Sequence, residues 1–262
     1  MGKNKLRKFS EMEDIDFVFQ YPYSVLQDKG FDLRGNWNRD FFKNDNPIVV
    51  ELGCGKGEYT VGLARRFPDK NFIGIDIKGA RMWSGATQAK AEGLKNVAFL
   101  RTSIELLPYF FAPGEVAELW ITFPDPQMKK QRKRLTSARF IDLYSRVMSP
   151  GGVVNLKTDS PFLYNYTRLL CLANALALPI ITDTSDLYGD SARGGLGVDP
   201  DILGIKTHYE QQWLARGLSI KYLSFRLNFN AAPVVEIDDT DIDRDTYRSY
   251  SRGTLESEHL RT

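Results

Sequence analysis

The sequence is poor in the residues that hold metals and disulfides. Its 262 residues include two histidines, His208 and His259, and two cysteines, Cys54 and Cys171. Two cysteines cannot build a disulfide framework, and such sparing use fits a reducing compartment, the cytoplasm. These four side chains do not fall at metal-ligand spacing, so no metal is expected. Charge of one sign is also lacking: 35 Lys and Arg against 33 Asp and Glu leave a net +2. A uniformly basic coat is excluded, and any basic patch must be local. Long apolar runs are missing. The stretch from Leu169 to Ile181 is short and interrupted by Asn174 and Pro179, so no membrane span is expected. The basic start runs into Ser10-Glu11-Met12-Glu13-Asp14 instead of an apolar signal core, against a secretory signal. What remains is 42% hydrophobic and 26% charged, a globular composition.

Residues 1–45 lack clean periodicity and mix basic residues with Phe17, Phe19, Tyr21 and Tyr23; they read as an N-terminal arm that packs aromatics on the core. From 46 to 230 strands and helices alternate. Strands are expected at Ile48–Leu52, Asn71–Asp76, Val97–Leu100, Val116–Thr122, Val153–Lys157, Pro179–Ile181 and Ile220–Phe229. Helices are expected at Glu58–Arg66, Ala80–Gly93, Ser137–Met148, Phe162–Ala177 and His208–Arg216, with a glycine-rich loop over 186–205. This order predicts an α/β fold: a doubly wound, mostly parallel, seven-stranded sheet with helices on both faces. Residues 231–262 are crowded with Asp238, Asp239, Asp241, Asp243 and Asp245, and read as an acidic, flexible tail.

Gly53-Cys54-Gly55-Lys56-Gly57 follows the first of these strands and opens a helix, where glycines let the backbone pass close to a ligand. Asp76 ends the second strand, at the edge where a doubly wound sheet forms its binding crevice, and suits two ribose hydroxyls. A dinucleotide loop would read G-x-G-x-x-G, but Glu58 stands next, and a carboxylate there would repel a pyrophosphate. S-adenosylmethionine has no phosphate and carries a sulfonium and an amino group, which Glu51 before the loop suits. A tight turn that merely packs helix on sheet stays open. Cys54 has no base beside it and reads as a small residue in a crowded turn.

Thr122-Phe123-Pro124-Asp125-Pro126 follows the fourth strand, with two prolines fixing the backbone on either side of one carboxylate. Lys129-Lys130-Gln131-Arg132-Lys133-Arg134 comes next, five cations in six residues. By itself such a run is a solvated face; beside a methyl-donor crevice it points to a polyanionic substrate. Lys3, Lys5, Arg7 and Lys8 could add a second set of phosphate interactions. A methyltransferase acting on another substrate, and a non-catalytic RNA-binding module on this fold, are the alternatives.

Together these residues resemble the bacterial tRNA (guanine-N7-)-methyltransferase family. The resemblance runs from about Pro47 to Phe225. It rests on Val50-Glu51-Leu52-Gly53-Cys54-Gly55-Lys56-Gly57, Phe72-Ile73-Gly74-Ile75-Asp76, Phe123-Pro124-Asp125-Pro126 with Lys129, Lys157-Thr158-Asp159, and Thr207-His208-Tyr209-Glu210. It implies a Rossmann-like class I S-adenosylmethionine-dependent methyltransferase fold over 46–230. It also implies methyl transfer to N7 of the guanine at position 46 in the tRNA variable loop. On the matching positions, Glu51, Gly53, Gly55 and Asp76 serve the donor, and Asp125 serves both donor site and catalysis. Lys129, Asp159, Thr207, His208, Tyr209 and Glu210 fall on tRNA-binding positions. The family's third donor acid falls on Ser103, and Gln127 and Met128 stand where the family has a tryptophan after Pro-Asp-Pro. The expected partner is tRNA; monomer and homodimer are both compatible.

Overall fold

The computed structural model describes residues 2–194 and 196–247, with side chains from residue 7 onward. Among the described residues, eight strands form one sheet: β1 (Val18–Gln20), β2 (Ile48–Leu52), β3 (Asn71–Ile75), β4 (Val97–Arg101), β5 (Val116–Thr122), β6 (Met148–Thr158), β7 (Ile180–Thr184) and β8 (Lys221–Arg226). Their order is β1-β4-β3-β2-β5-β6-β8-β7. All pairings are parallel except those of β8 with β6 and β7. The chain winds outward from β2 in one direction and from β5 in the other, so the switch point lies between these two strands.

Both faces of β2 are buried, which is why it reads as an apolar run interrupted only by Glu51. Ile48, Val50 and Leu52 join one core with Ile73, Leu119, Leu156 and Phe225. Val49 faces the other with Phe72, Phe99, Trp120 and Tyr222. The alternation follows from the two-residue repeat of the strand.

The eighth strand, β1, comes from the N-terminal arm, and pairs Val18 to Phe99 and Gln20 to Arg101. Three residues give too short a window for periodicity. The aromatics after it pack together: Trp37 stacks on Phe111 at 5.8 Å and donates its indole N–H to the Phe110 carbonyl at 2.9 Å. Before it, a helix spans Gly2–Glu13. Arg7 pairs with Glu11 and Lys8 lies over Trp83.

Other boundaries differ. The helix expected over Ser137–Met148 ends at Ser145, and β6 begins at Met148 and runs through Pro150-Gly151-Gly152. The sheet tolerates this because the register slips there: Met148 pairs with Val116, and pairing resumes at Val153 with Glu118. The helix expected over Phe162–Ala177 runs from Pro161 to Ala173. The loop expected over 186–205 contains helices at Leu187–Arg193 and Pro200–Leu203, capped by the side chains of Asp186 and Asp199. The tail expected to be flexible is laid on the body as far as it is described: Ile242 and Asp245 are buried, and Val234 and Ile237 pack on the core. The rest of that tail lies outside the described residues. No described helix is long and apolar enough to cross a membrane.

Candidate active site

The carboxyl ends of β2 to β6 gather the loops that the sequence singled out. Gly53 and Cys54 donate their N–H groups to the Ile75 carbonyl at 2.8 and 2.9 Å, which pins the glycine loop to β3. Gly53 and Gly55 have φ of 74° and 56°, a region that side chains disfavour. Packing restricts the far end of the loop: a Cβ on Gly57 would meet Phe99 at 2.7 Å. Asp76 is oriented by two backbone donors, Gly55 N–H on Oδ2 at 2.9 Å and Lys78 N–H on Oδ1 at 2.7 Å. Each carboxylate oxygen has a second acceptor direction for a hydroxyl. A cavity of about 280 Å³ opens here, lined among others by Gly53, Asp76, Ser103, Glu105, Gln127 and Lys133.

Glu51 sits deeper than the loop it precedes. It was expected to face the donor, but it is 3% exposed and lies beneath the loop. Its Oε2 accepts from the Thr60 N–H at 2.9 Å and from the Thr60 hydroxyl; its Oε1 accepts from the Thr122 hydroxyl at 2.6 Å. Burial pushes its pKa up to about 7, against the pull of those hydrogen bonds. Glu51 therefore fastens the glycine-loop helix to the end of β5. Cys54 is buried too, and burial raises its thiol well above the ordinary value, which keeps it protonated. Ser103 does line the cavity, and its hydroxyl donates to the Glu105 carboxylate. Glu105 was missed; the signal was an acid two residues beyond the position where the family has one.

Asp125 stands on a turn of unusual backbone. Phe123 and Gln127, on either side of Pro124-Asp125-Pro126, both have φ of 48°, in the left-handed region. Phe123 is held by its N–H to the Lys157 carbonyl at 2.8 Å, and Gln127 gives its N–H to Asp125 Oδ1 at 2.9 Å. Non-glycine residues keep such conformations only where their surroundings impose them. Asp125 lines a second cavity of about 640 Å³ with Lys129 and Lys130, and Gln127 lines both cavities. The carboxylate thus lines the basic pocket, and Gln127, whose N–H it accepts, links that pocket to the donor crevice.

The basic run divides. Lys129, Lys130, Arg132 and Lys133 are exposed, as a phosphate-binding surface requires. Arg134 is 1% exposed and paired with Asp239. The expectation that all five cations meet phosphate is corrected: Arg134 faces inward.

The late segment reaches the same edge. Thr207 caps the helix His208–Ala215 in a capping box with Glu210, and His208 N–H donates to Glu58 at 3.0 Å, beside the glycine loop. His208 is exposed and Tyr209 half-buried. Glu210, expected to touch tRNA, is fully buried and ion-paired to Lys157 at 2.8 Å, with the Tyr188 hydroxyl donating to it. Burial lowers the pKa of Lys157, against the opposing pull of Glu210. Asp159, also expected at tRNA, is buried and accepts from the Tyr247 hydroxyl at 2.7 Å. Both acids are enclosed by protein rather than presented on the surface. Their sequence positions carried no burial signal, because the residues covering them come from distant segments.

A family model described as "Putative methyltransferase" matches residues 45–223. A tRNA (guanine-N(7)-)-methyltransferase of Porphyromonas gingivalis is 61% identical over 243 residues, 92% of this chain and 96% of that one. The enzyme of the same name from Bacteroides thetaiotaomicron is 56% identical over 252 residues, 96% of each chain. Among solved structures, the 16S rRNA methyltransferase KamB superposes with a TM-score of 0.56 at 16% identity, covering 76% of this chain and 95% of that one, a likeness of fold. With a glycine loop, a ribose-side aspartate and a rigid Pro-Asp-Pro turn at one sheet edge, and with relatives this similar over nearly their whole length, the chain belongs to the tRNA (guanine-N(7)-)-methyltransferase family.

Proposed function

We infer that this chain transfers the methyl group of S-adenosylmethionine to N7 of a guanine in tRNA, and we propose that this guanine is the one at position 46 in the variable loop. The donor supplies an electrophilic methyl on a sulfonium. The residues at the crevice fit it: Asp76 presents oriented acceptors for ribose hydroxyls, the glycine loop brings backbone close, and the walls carry carboxylates rather than an anion-binding cluster. Glu105 adds an acid beside Ser103 on that wall.

Guanine N7 has an in-plane lone pair and no proton, so its attack requires no general base. It requires alignment of N7, methyl and sulfur. Methylation leaves positive charge on the base, and a fixed carboxylate nearby stabilises that charge as it develops. Asp125 takes this role, together with orientation of the base. The observation that carries the reading is its placement in the basic pocket on a turn held by two left-handed residues, one of which, Gln127, also lines the donor crevice. Lys129, Lys130, Arg132 and Lys133 hold the phosphates, which gives affinity without sequence information. His208 and Tyr209 rim the same edge, with Thr207 capping their helix; Glu210 and Asp159 support that edge from inside. The cytoplasm, where tRNA is found, is the place of action.

The test is to incubate the protein with labelled donor and bulk tRNA, then map the label by reduction and aniline cleavage, which cuts at N7-methylguanosine. Cleavage at position 46 is expected. Label on another base, or undiminished methylation of a tRNA with adenine at position 46, would overturn the reading.

A further inference from the structure

Arg134 ends the basic run in sequence, yet it lies inside the protein. Its guanidinium carbon sits 4.7 Å from the Phe162 ring centroid and 4.4 Å from that of Tyr166. Its Nη2 pairs with Asp239, more than a hundred residues later in the chain. Its Nε donates to the Gln127 carbonyl at 3.3 Å, and Nη2 also donates to the Met128 carbonyl at 3.2 Å. Those carbonyls belong to the turn whose Gln127 N–H holds Asp125 Oδ1. One planar fork therefore joins an acid of the C-terminal segment to the backbone that orients the site carboxylate.

As far as it is described, to residue 247, that segment is held to the body at several points. Glu236 accepts from the Tyr166 hydroxyl at 2.6 Å and from Ala138 N–H at 3.1 Å. Gln131 donates to the Ile237 carbonyl at 2.7 Å, and Arg244 donates to the Met128 carbonyl at 2.7 Å. Asp245 accepts from Phe162 N–H at 3.1 Å and from the Ser160 hydroxyl. Asp239 itself is drawn upward in pKa by burial, but the hydrogen bond and charge of Arg134 leave its carboxyl below the usual range. It stays ionised beside its partner.

We propose that Arg134 and Asp239 are positioning residues for Asp125: the pair holds the Gln127–Met128 turn in its left-handed form and so fixes the carboxylate, and Arg134 does not bind phosphate. This rests on the reading of Asp125 given above. The acidic segment is then a strap that completes the site from the far end of the chain.

Single-turnover methylation at saturating donor and tRNA tests it, with Asp239→Asn and Arg134→Lys made singly and over Asp125→Asn, and with melting curves to confirm folding at the assay temperature. Displacing a reacting or stabilising group by a fraction of its fit is expected to slow methylation by roughly 10–100-fold in each single variant. Donor affinity and the salt dependence of tRNA binding stay as in the wild type. Asp239→Glu, which keeps the charge at the less buried end of the pair, recovers much of the rate. Over Asp125→Asn, adding Asp239→Asn costs little more, because the group being positioned has already lost its charge. Wild-type rates from folded Asp239→Asn and Arg134→Lys would overturn the proposal, as would fully additive losses over Asp125→Asn. If Arg134 met phosphate as a point charge, lysine would serve and Arg134→Lys would keep its rate. Near-normal methylation by Asp125→Asn alone would instead overturn the reading of Asp125, a result read independently of the pair.

Discussion

Lys157 and Glu210 meet as an ion pair 2.8 Å apart with both side chains fully enclosed. Lys157 is also hydrogen-bonded to the Tyr188 hydroxyl at 3.2 Å and to the Ile205 carbonyl at 3.3 Å. The pair joins the end of β6 to the capped helix at His208, so it sets where the late segment sits. Removing one partner leaves a buried charge alone, a loss of about 3–5 kcal/mol in comparable cases. Glu210→Gln should therefore lower the urea midpoint strongly, and any loss of tRNA affinity should follow the loss of folded protein. Unchanged stability with weakened tRNA binding would show that Glu210 faces the substrate after all.

Glu51 should make stability depend on pH. Its carboxyl has a pKa raised to about 7 in the folded protein, with burial as the main cause, while in the unfolded chain it titrates at its ordinary value. Between those values the unfolded state has lost the proton and the folded state keeps it. The Glu51 contribution is thus whole below the unfolded value, falls as pH rises toward 7, and levels off above it. The shift corresponds to about 3 kcal/mol. Glu51→Gln, neutral at every pH, should lose this component, so the gap between variant and wild-type stability should drift in the variant's favour from pH 5 to pH 8. A gap constant across that range would mean that Glu51 is ionised in the folded protein throughout.

Asp125→Asn keeps the shape and one acceptor but removes the charge. By comparison with the loss of one preorganised electrostatic group, the chemical step should slow by about 10²–10³, with donor and tRNA binding less affected. Single-turnover rates and equilibrium titrations separate the two. A rate close to wild type would reduce Asp125 to a turn residue.

The exposed cations should act through salt. Every lysine–phosphate pairing removed should flatten the log–log plot of tRNA affinity against salt by roughly 0.7–0.9. Lys129→Ala with Lys130→Ala, both outside the donor crevice, should show this flattening while donor binding stays intact. A slope equal to wild type would leave the run as a solvated face.

Much of this was legible in the sequence because it is local. Ile48–Leu52 running into Gly53-Cys54-Gly55 announces a buried strand and a loop that needs left-handed backbone, whatever lies elsewhere. Asp76 and Asp125 are placed by the same rule, since in a doubly wound sheet residues just past the strand ends share one edge. Only the tertiary structure decided which charged groups face outward. Lys133 and Arg134 are neighbours in one basic run, yet one lines the donor crevice and the other is enclosed by Phe162, Tyr166 and Asp239. Glu51, Asp159 and Glu210 match a donor or tRNA pattern in sequence, but Thr60 and Thr122, Tyr247 and Lys157 close over them. Burial and pairing arise between segments far apart in the chain. A sequence fixes the type and order of its charges, whereas the solvent and partner each one meets depend on how those distant segments pack.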